Sequence, residues 1–215
     1  MVKPGFAKKV EEFVAAGGTF ITTFFSGIVN ENDLVTTGGY PGELRSLLGI
    51  WAEEIDALFP EHKNAIVMNN AWGSLEGSYE CSLLCDIIHS EGAEVLAQYG
   101  DDFYKGSPVL TVNSFGKGKA YYVASSPEAS FLQGFLANVC EGHNIKPLVQ
   151  APAGLESTER VKDGEAFLFL LNHNAEDVQV DIGSSVREDL LTGKSVSGQI
   201  TVTGRGVLIL KGTAE

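Results

Sequence analysis

Basic residues are scarce in this chain: 15 Lys+Arg stand against 28 Asp+Glu over 215 residues, a formal charge of -13. The shortage is spread along its length. From Pro152 onward 6 Lys+Arg face 10 Asp+Glu, a net of -4 that leaves -9 for the rest. Such a chain repels phosphate backbones and anionic lipid, so we expect no nucleic-acid and no peripheral-membrane partner. Long hydrophobic runs are missing as well, and nothing approaches the ~18 apolar residues that span a bilayer. The start, MVKPGFAKKVEEF, lacks the apolar core of a secretion signal, which places the chain in the cytoplasm as an expectation. Cysteine is limited to Cys81, Cys85 and Cys140, an odd number in a chain large enough to fold without staples. Reduced thiols are expected. Trp and Tyr are absent after Pro152, where Phe167 and Phe169 are the only Phe, both within an apolar strand pattern. A stacking platform for sugar is thereby excluded from that part.

What is present falls into two parts. Up to about Lys146 helical and strand patterns mix. Phe6, Val10, Phe13 and Val14 recur at helical spacing after Pro4, and Gly17-Gly18 ends that helix before a strand from Thr19 to Phe25. A polar turn at Asn30 to Asp33 and the turn Gly38-Gly39-Tyr40-Pro41-Gly42 follow. Leu44, Leu47, Leu48, Trp51 and Ile55 predict a second apolar helical face. Ala65 to Met68 reads as a strand, and Tyr79 to Ile88 with Glu94 to Tyr99 as paired strands about Glu91-Gly92. Pro108 to Phe115 and Lys119 to Ser125 form a hairpin around Gly116-Lys117-Gly118. A last helix from about Ser126 to Glu141 presents Phe131, Leu132, Phe135, Leu136 and Val139.

Pro147, Pro152 and Gly154 mark a linker, beyond which only short strand patterns occur. Ala166 to Leu171 is continuously apolar, Val178, Val180 and Ile182 alternate with polar residues, and Ile200 to Thr203 and Val207 to Leu210 close the chain. At about 60 residues this all-β module is near the lower limit for independent folding. It is expected to pack against the first domain, with Phe167 and Phe169 mostly buried and Leu168 and Leu170 on the opposite face against that domain.

Candidate chemistry is thin. Cys81, Cys85 and His89, spaced by four, would align on a helix as metal ligands, but extended structure scatters them and no fourth ligand offers itself. Asn30 to Asp33 lacks the Gly and terminal Glu of a calcium loop. Gly116-Lys117-Gly118-Lys119 lies between strands and lacks the spacing of a phosphate loop. Glu80, in an apolar strand flanked by Gly77, reads as a structural carboxylate bonded to neighbouring backbone. We expect no catalytic residue, no cofactor and no metal.

The ordered string GGTFITTFFSGIVNENDLVTTGGYPGELRSLLGIW, Gly17 to Trp51, resembles the middle, trimerisation domain of family 42 glycoside hydrolases, the bacterial β-galactosidases. Gly77-Ser78-Tyr79-Glu80, Cys85-Asp86-Ile87-Ile88-His89, Glu91 to Leu96, Phe115 to Gly118 and Leu170-Leu171-Asn172-His173 continue the resemblance over nearly the whole chain. It implies an α/β fold: a truncated flavodoxin-like, class I glutamine amidotransferase-like domain over 1–146, a linker at 147–153, and a small antiparallel β domain at 154–215. It implies that the first domain begins before Met1 in the family. The family's two catalytic glutamates lie on a (β/α)8 barrel, which needs about 250 residues of alternating strand and helix not found here. The implied function is a non-catalytic assembly or accessory portion of a β-galactosidase. The alternative is a free-standing oligomerisation or interaction protein, and a less favoured one an amidotransferase-like hydrolase. The last requires a cysteine at a strand-to-helix elbow, whereas the settings here are Tyr-Glu-Cys81-Ser-Leu, Leu-Leu-Cys85-Asp-Ile and, for Cys140, the end of a helical face. Implied partners are the barrel and further copies of the chain, as trimer or dimer. Phe25, Ile28, Val29, Leu34 and Tyr40 are expected to contact the neighbouring subunit.

Overall fold

In a computed structural model describing residues 1–213, two compact units divide at His143/Asn144. The first opens with α1 (Phe6–Ala15), whose buried residues are Ala7 and Val14. Phe6 and Phe13, expected on its inner face, are 43% and 57% exposed. Strand β1 (Thr19–Thr23) follows, then a long loop, a 3-10 turn (Gly42–Leu44) and a single helical turn, α2 (Arg45–Leu48). The remaining strands are β2 (Ile50–Ala57), β3 (Asn64–Met68), β4 (Ser78–Ser90), β5 (Glu94–Tyr99), β6 (Pro108–Phe115), β7 (Gly118–Val123) and β8 (Ser125–Pro127), before helix α3 (Ala129–Gly142).

These strands form one sheet in the order β1-β7-β6-β5-β3-β4-β2, with β8 paired to β4. Only β1 and β7 run parallel; the other pairings are antiparallel. The hairpin β6–β7 turns at Gly116-Lys117, with Phe115 opposite Gly118. Gly116 has φ 60, and a Cβ there would stand 2.6 Å from the Ala15 Cα, so the turn seats on the end of α1 only as glycine. Val109 to Val112 are all buried, marking β6 as a strand covered on both faces. Leu47, Leu48, Ile50, Ile66, Leu75, Ile88, Leu110, Tyr99, Tyr122, Phe131 and Phe135 are among the large fully buried side chains here.

Three expectations need correction. Trp51 and Ile55 lie on β2, not on a continuing helix: Gly49, at φ 61, ends α2 after one turn, and its carbonyl accepts from Glu91 N and Ala93 N. A β-bulge between Ala52 and Glu54 sets Trp51, opposite His89, and Ile55, opposite Asp86, on different faces of β2, so their spacing of four marks no shared face. Strands β4 and β5 do not pair, because β3 inserts between them and bonds to both. Helix α3 starts at Ala129, since Ser125–Pro127 is strand; it buries Phe131, Phe135 and Asn138 and leaves Leu136 49% exposed.

The second unit holds β9 (Leu155–Lys162), β10 (Glu165–Asn172), β11 (Val178–Asp181), β12 (Arg187–Asp189), β13 (Lys194–Val196), β14 (Gln199–Val202) and β15 (Val207–Thr213). They make an antiparallel sheet, β13-β12-β15-β10-β9, and a separate pair, β11-β14. Its own core contains Leu168, Leu170, Val180, Ile182, Val202 and Leu210. The face of β10 is thus the reverse of that expected: Leu168 and Leu170 form the core and Phe167 and Phe169 are half-buried. Asn172, 3% exposed, ties this unit together. Its amide donates to the carbonyls of Glu176, Val202 and Thr203, and its oxygen accepts from Asn174 N. The Leu-Leu-Asn-His string is therefore structural.

Candidate subunit-contact surface

Between β1 and the 3-10 turn the chain runs through a loop folded back on itself. Asn30 N donates to Leu34 O at 2.9 Å and Thr36 N to Ile28 O at 2.8 Å, so 28–30 lies antiparallel to 34–36. At the tip, the Asn30 side-chain oxygen accepts from Asn32 N and Leu34 N, which uses the polar turn as a backbone clamp. At the base, Arg45 makes a two-pronged ion pair with Glu91 and donates to Gly38 O, its guanidinium 5.7 Å from the Trp51 ring centre. The Trp51 indole nitrogen packs where a Gly39 Cβ would stand, so only glycine fits at that φ of 91.

The loop is also held from beneath by a buried acid. Asp86, fully buried on β4, accepts from Phe25 N at 3.0 Å and from the Tyr122 hydroxyl, both through Oδ2. Its Oδ1 has no hydrogen-bond partner among the described residues. Burial pushes the Asp86 carboxyl above the usual range, against the lowering pull of these two donors. Burial, then the charges of Asp86 and Glu54, push Tyr40 up to about 12. Phe25 itself has φ 65, a strained backbone for a bulky residue, and turns its ring outward at 56% exposure. The sequence signal for Asp86 was its place as a lone acid within Leu84-Cys85-Asp86-Ile87-Ile88.

Of the five expected contact residues, Phe25 and Leu34 are exposed, Leu34 by 63%. Ile28, Val29 and Tyr40 are half-buried. Val35, not foreseen, is 66% exposed. Glu80 is not a buried structural carboxylate: its side chain is 56% exposed and pairs with Lys63 at 3.4 Å. Cys81, Cys85 and His89 all lie in extended β4, and among the described residues no group of three or more His, Cys, Asp or Glu is placed to hold a metal. No described helix is long and apolar enough to cross a membrane.

A mixed-sheet domain with a loop folded back on itself is followed by a small antiparallel β unit, and this two-part architecture defines the class of the chain. The family comparison is specific: the model described as Beta-galactosidase trimerisation domain matches residues 1–146, and that described as Beta-galactosidase C-terminal domain matches residues 154–212. The chain belongs to the family 42 β-galactosidases, within their trimerisation and C-terminal domains. It is 61% identical over 210 residues to Beta-galactosidase BgaA of Planococcus sp. (strain 'SOS Orange'), covering 98% of this chain and 31% of that protein. Against Beta-galactosidase Pbg of Clostridium perfringens identity is 42% over 215 residues, with coverage of 98% and 31%. The crystal structure of the β-galactosidase from Bacillus circulans sp. alkalophilus superposes with a TM-score of 0.96 at 65% identity, covering 100% of this chain and 32% of that one. The chain thus spans about a third of the length of these relatives.

Proposed function

We propose that this chain serves assembly: it is the portion of a cytoplasmic bacterial β-galactosidase that joins subunits and braces the catalytic barrel, without itself carrying out hydrolysis. The observation that carries the reading is that a trimerisation domain matches residues 1–146 and a C-terminal domain residues 154–212, in that order. We assign 1–146 to the assembly domain, 147–153 to a linker and 154–215 to the β domain. In this reading the parallel pair β1–β7 with α1 belongs to a flavodoxin-like, amidotransferase-like sheet. Phe25, Leu34 and Val35 then supply the exposed contacts between copies, with Ile28, Val29 and Tyr40 shaping the loop behind them. Amidotransferase chemistry gains no support, because Cys81 and Cys85 sit inside strand β4 and Cys140 near the end of helix α3, none of them at a strand-to-helix elbow. The purified chain should self-associate in light scattering across a concentration series, as trimer or dimer, and should not hydrolyse a chromogenic β-galactoside. A strict monomer at high concentration would refute the assembly role for the isolated chain. Turnover that survives removal of host galactosidase would refute the non-catalytic one.

A further inference from the structure

Cys81 and Cys85 are four residues apart on β4, a separation of about 13 Å in a regular strand. The pairing with β8 removes most of that distance. Cys81 faces Pro127, Ser82 faces Ser126, and Cys85 faces Ser125, so Leu83 and Leu84 are extruded without partners on β8. Leu83 takes φ 70 to make this double bulge, and its side chain is thrown 58% into solvent. The bulge is pinned: Leu58 N donates to Leu83 O, the Ser125 hydroxyl to Leu84 O, and Asp86 N to Ala124 O. Across the bulge, the two cysteines face residues that are only two apart on β8. Their α-carbons are thereby drawn toward about 6.6 Å, within the range a disulfide tolerates. Both side chains point into the same buried layer, and the Cys85 sulphur is 3.5 Å from Ser125 Oγ.

We propose that Cys81 and Cys85 form a dithiol site that a small peroxide converts to an intrachain disulfide. The influence of each thiol on the other raises Cys81 and lowers Cys85 relative to an ordinary thiol. The direction for Cys85 rests on Cys81. The nearby hydroxyl protons of Ser125, Tyr104 and Tyr99 are committed to Leu84 O, Asp56 and Ala124 O. Cys81 alone thus sets the lowered direction of Cys85, which we take as the attacking sulphur. It takes one peroxide oxygen as the O–O bond breaks, forming a sulfenic acid and releasing one water with the thiol proton. Cys81 then attacks that sulphur; the S–O bond breaks, hydroxide leaves with the Cys81 proton as the second water, and the S–S bond closes. Two thiols lose two electrons and two protons, and one peroxide is reduced to two waters. A hollow of about 350 Å³ is lined by Asn64, the β3 partner of Cys81, and by Glu80, the residue before it, while the two thiols themselves are buried.

The test uses the full chain with Cys140, half-buried on α3, replaced by serine. After hydrogen peroxide, quenching and unfolding, thiol counting should find both remaining thiols gone. Intact mass should fall by about 2 Da, peptide mapping should join Cys81 to Cys85, and dithiothreitol should restore both. Cys81→Ser in the same background should instead stop at single oxygen additions on Cys85. Retention of both thiols under peroxide, or oxygen addition without the mass loss when Cys81 and Cys85 are both present, would overturn the proposal. Circular dichroism on the untreated Cys140→Ser protein verifies that it is folded. The wild-type chain read by the same mapping gives an independent result that needs no substitution.

Discussion

Replacing Asp86 tests whether its carboxyl holds the loop that follows β1, because two donors converge on a fully buried acid. Asp86→Ala would leave the Phe25 amide and the buried Tyr122 hydroxyl unpaired. Each orphaned donor costs about 1 to 3 kcal/mol, giving roughly 2 to 6 kcal/mol in total, reduced wherever water refills the site. Asp86→Asn keeps one acceptor oxygen and nearly the same volume, so the two donors stay satisfied. The pH dependence separates charge from shape. Burial raises the Asp86 pKa in the fold, and an acid so shifted contributes stability that is complete below its unfolded value, about 4, and is lost as pH rises through the folded value. Thermal unfolding followed by circular dichroism from pH 4 to 8 should therefore show wild type losing ground to Asp86→Asn as pH rises. Comparing variants cancels the titration common to the rest of this acidic chain. A difference independent of pH, or one growing in favour of wild type, would refute the desolvation argument. Wild-type stability in Asp86→Ala would show that the loop is not anchored here.

In the β unit, Leu170→Ala should cost about 2 to 5 kcal/mol and Phe169→Ala clearly less in denaturant unfolding, because the former is fully buried and the latter half-exposed. Leu34→Asp, at an exposed loop position, should weaken self-association in light scattering while leaving the unfolding midpoint of monomeric protein within about 0.5 kcal/mol. Gly118→Ala should destabilise by roughly 1 to 3 kcal/mol, since its added carbon meets the Gly18 and Val14 carbonyl oxygens rather than a flexible side chain; equal stability would mean that α1 shifts freely.

Elements with their own local chemistry were legible before any coordinates. The β6–β7 hairpin carried two apolar runs and a Gly-Lys turn between them, and α1 carried its own terminator in Gly17-Gly18. The absence of any phosphate-loop or calcium-loop spacing was equally readable, because such sites need residues at set distances along the chain. Family resemblance reached furthest, since it rests on many ordered residues rather than on one period.

Tertiary structure decided what periodicity leaves degenerate. In Glu165 to Asn172 both faces are apolar, so alternation pairs Leu168 with Leu170 without saying which face meets the core; Val180, Ile182 and Val202, which cluster with these two leucines, settle it. The insertion of β3 between β4 and β5 is a long-range pairing with no mark in the turn at Glu91-Gly92. Asp86 reads in sequence as a single acid in an apolar run, and its part in the fold exists only once Tyr122 and the Phe25 amide arrive from elsewhere in the chain. Cys81 and Cys85 likewise become neighbours only because β8, over 40 residues later, pairs with β4 in a register that skips two residues. Local composition records what a segment can do by itself, whereas pairing and burial depend on contacts between segments distant in the chain.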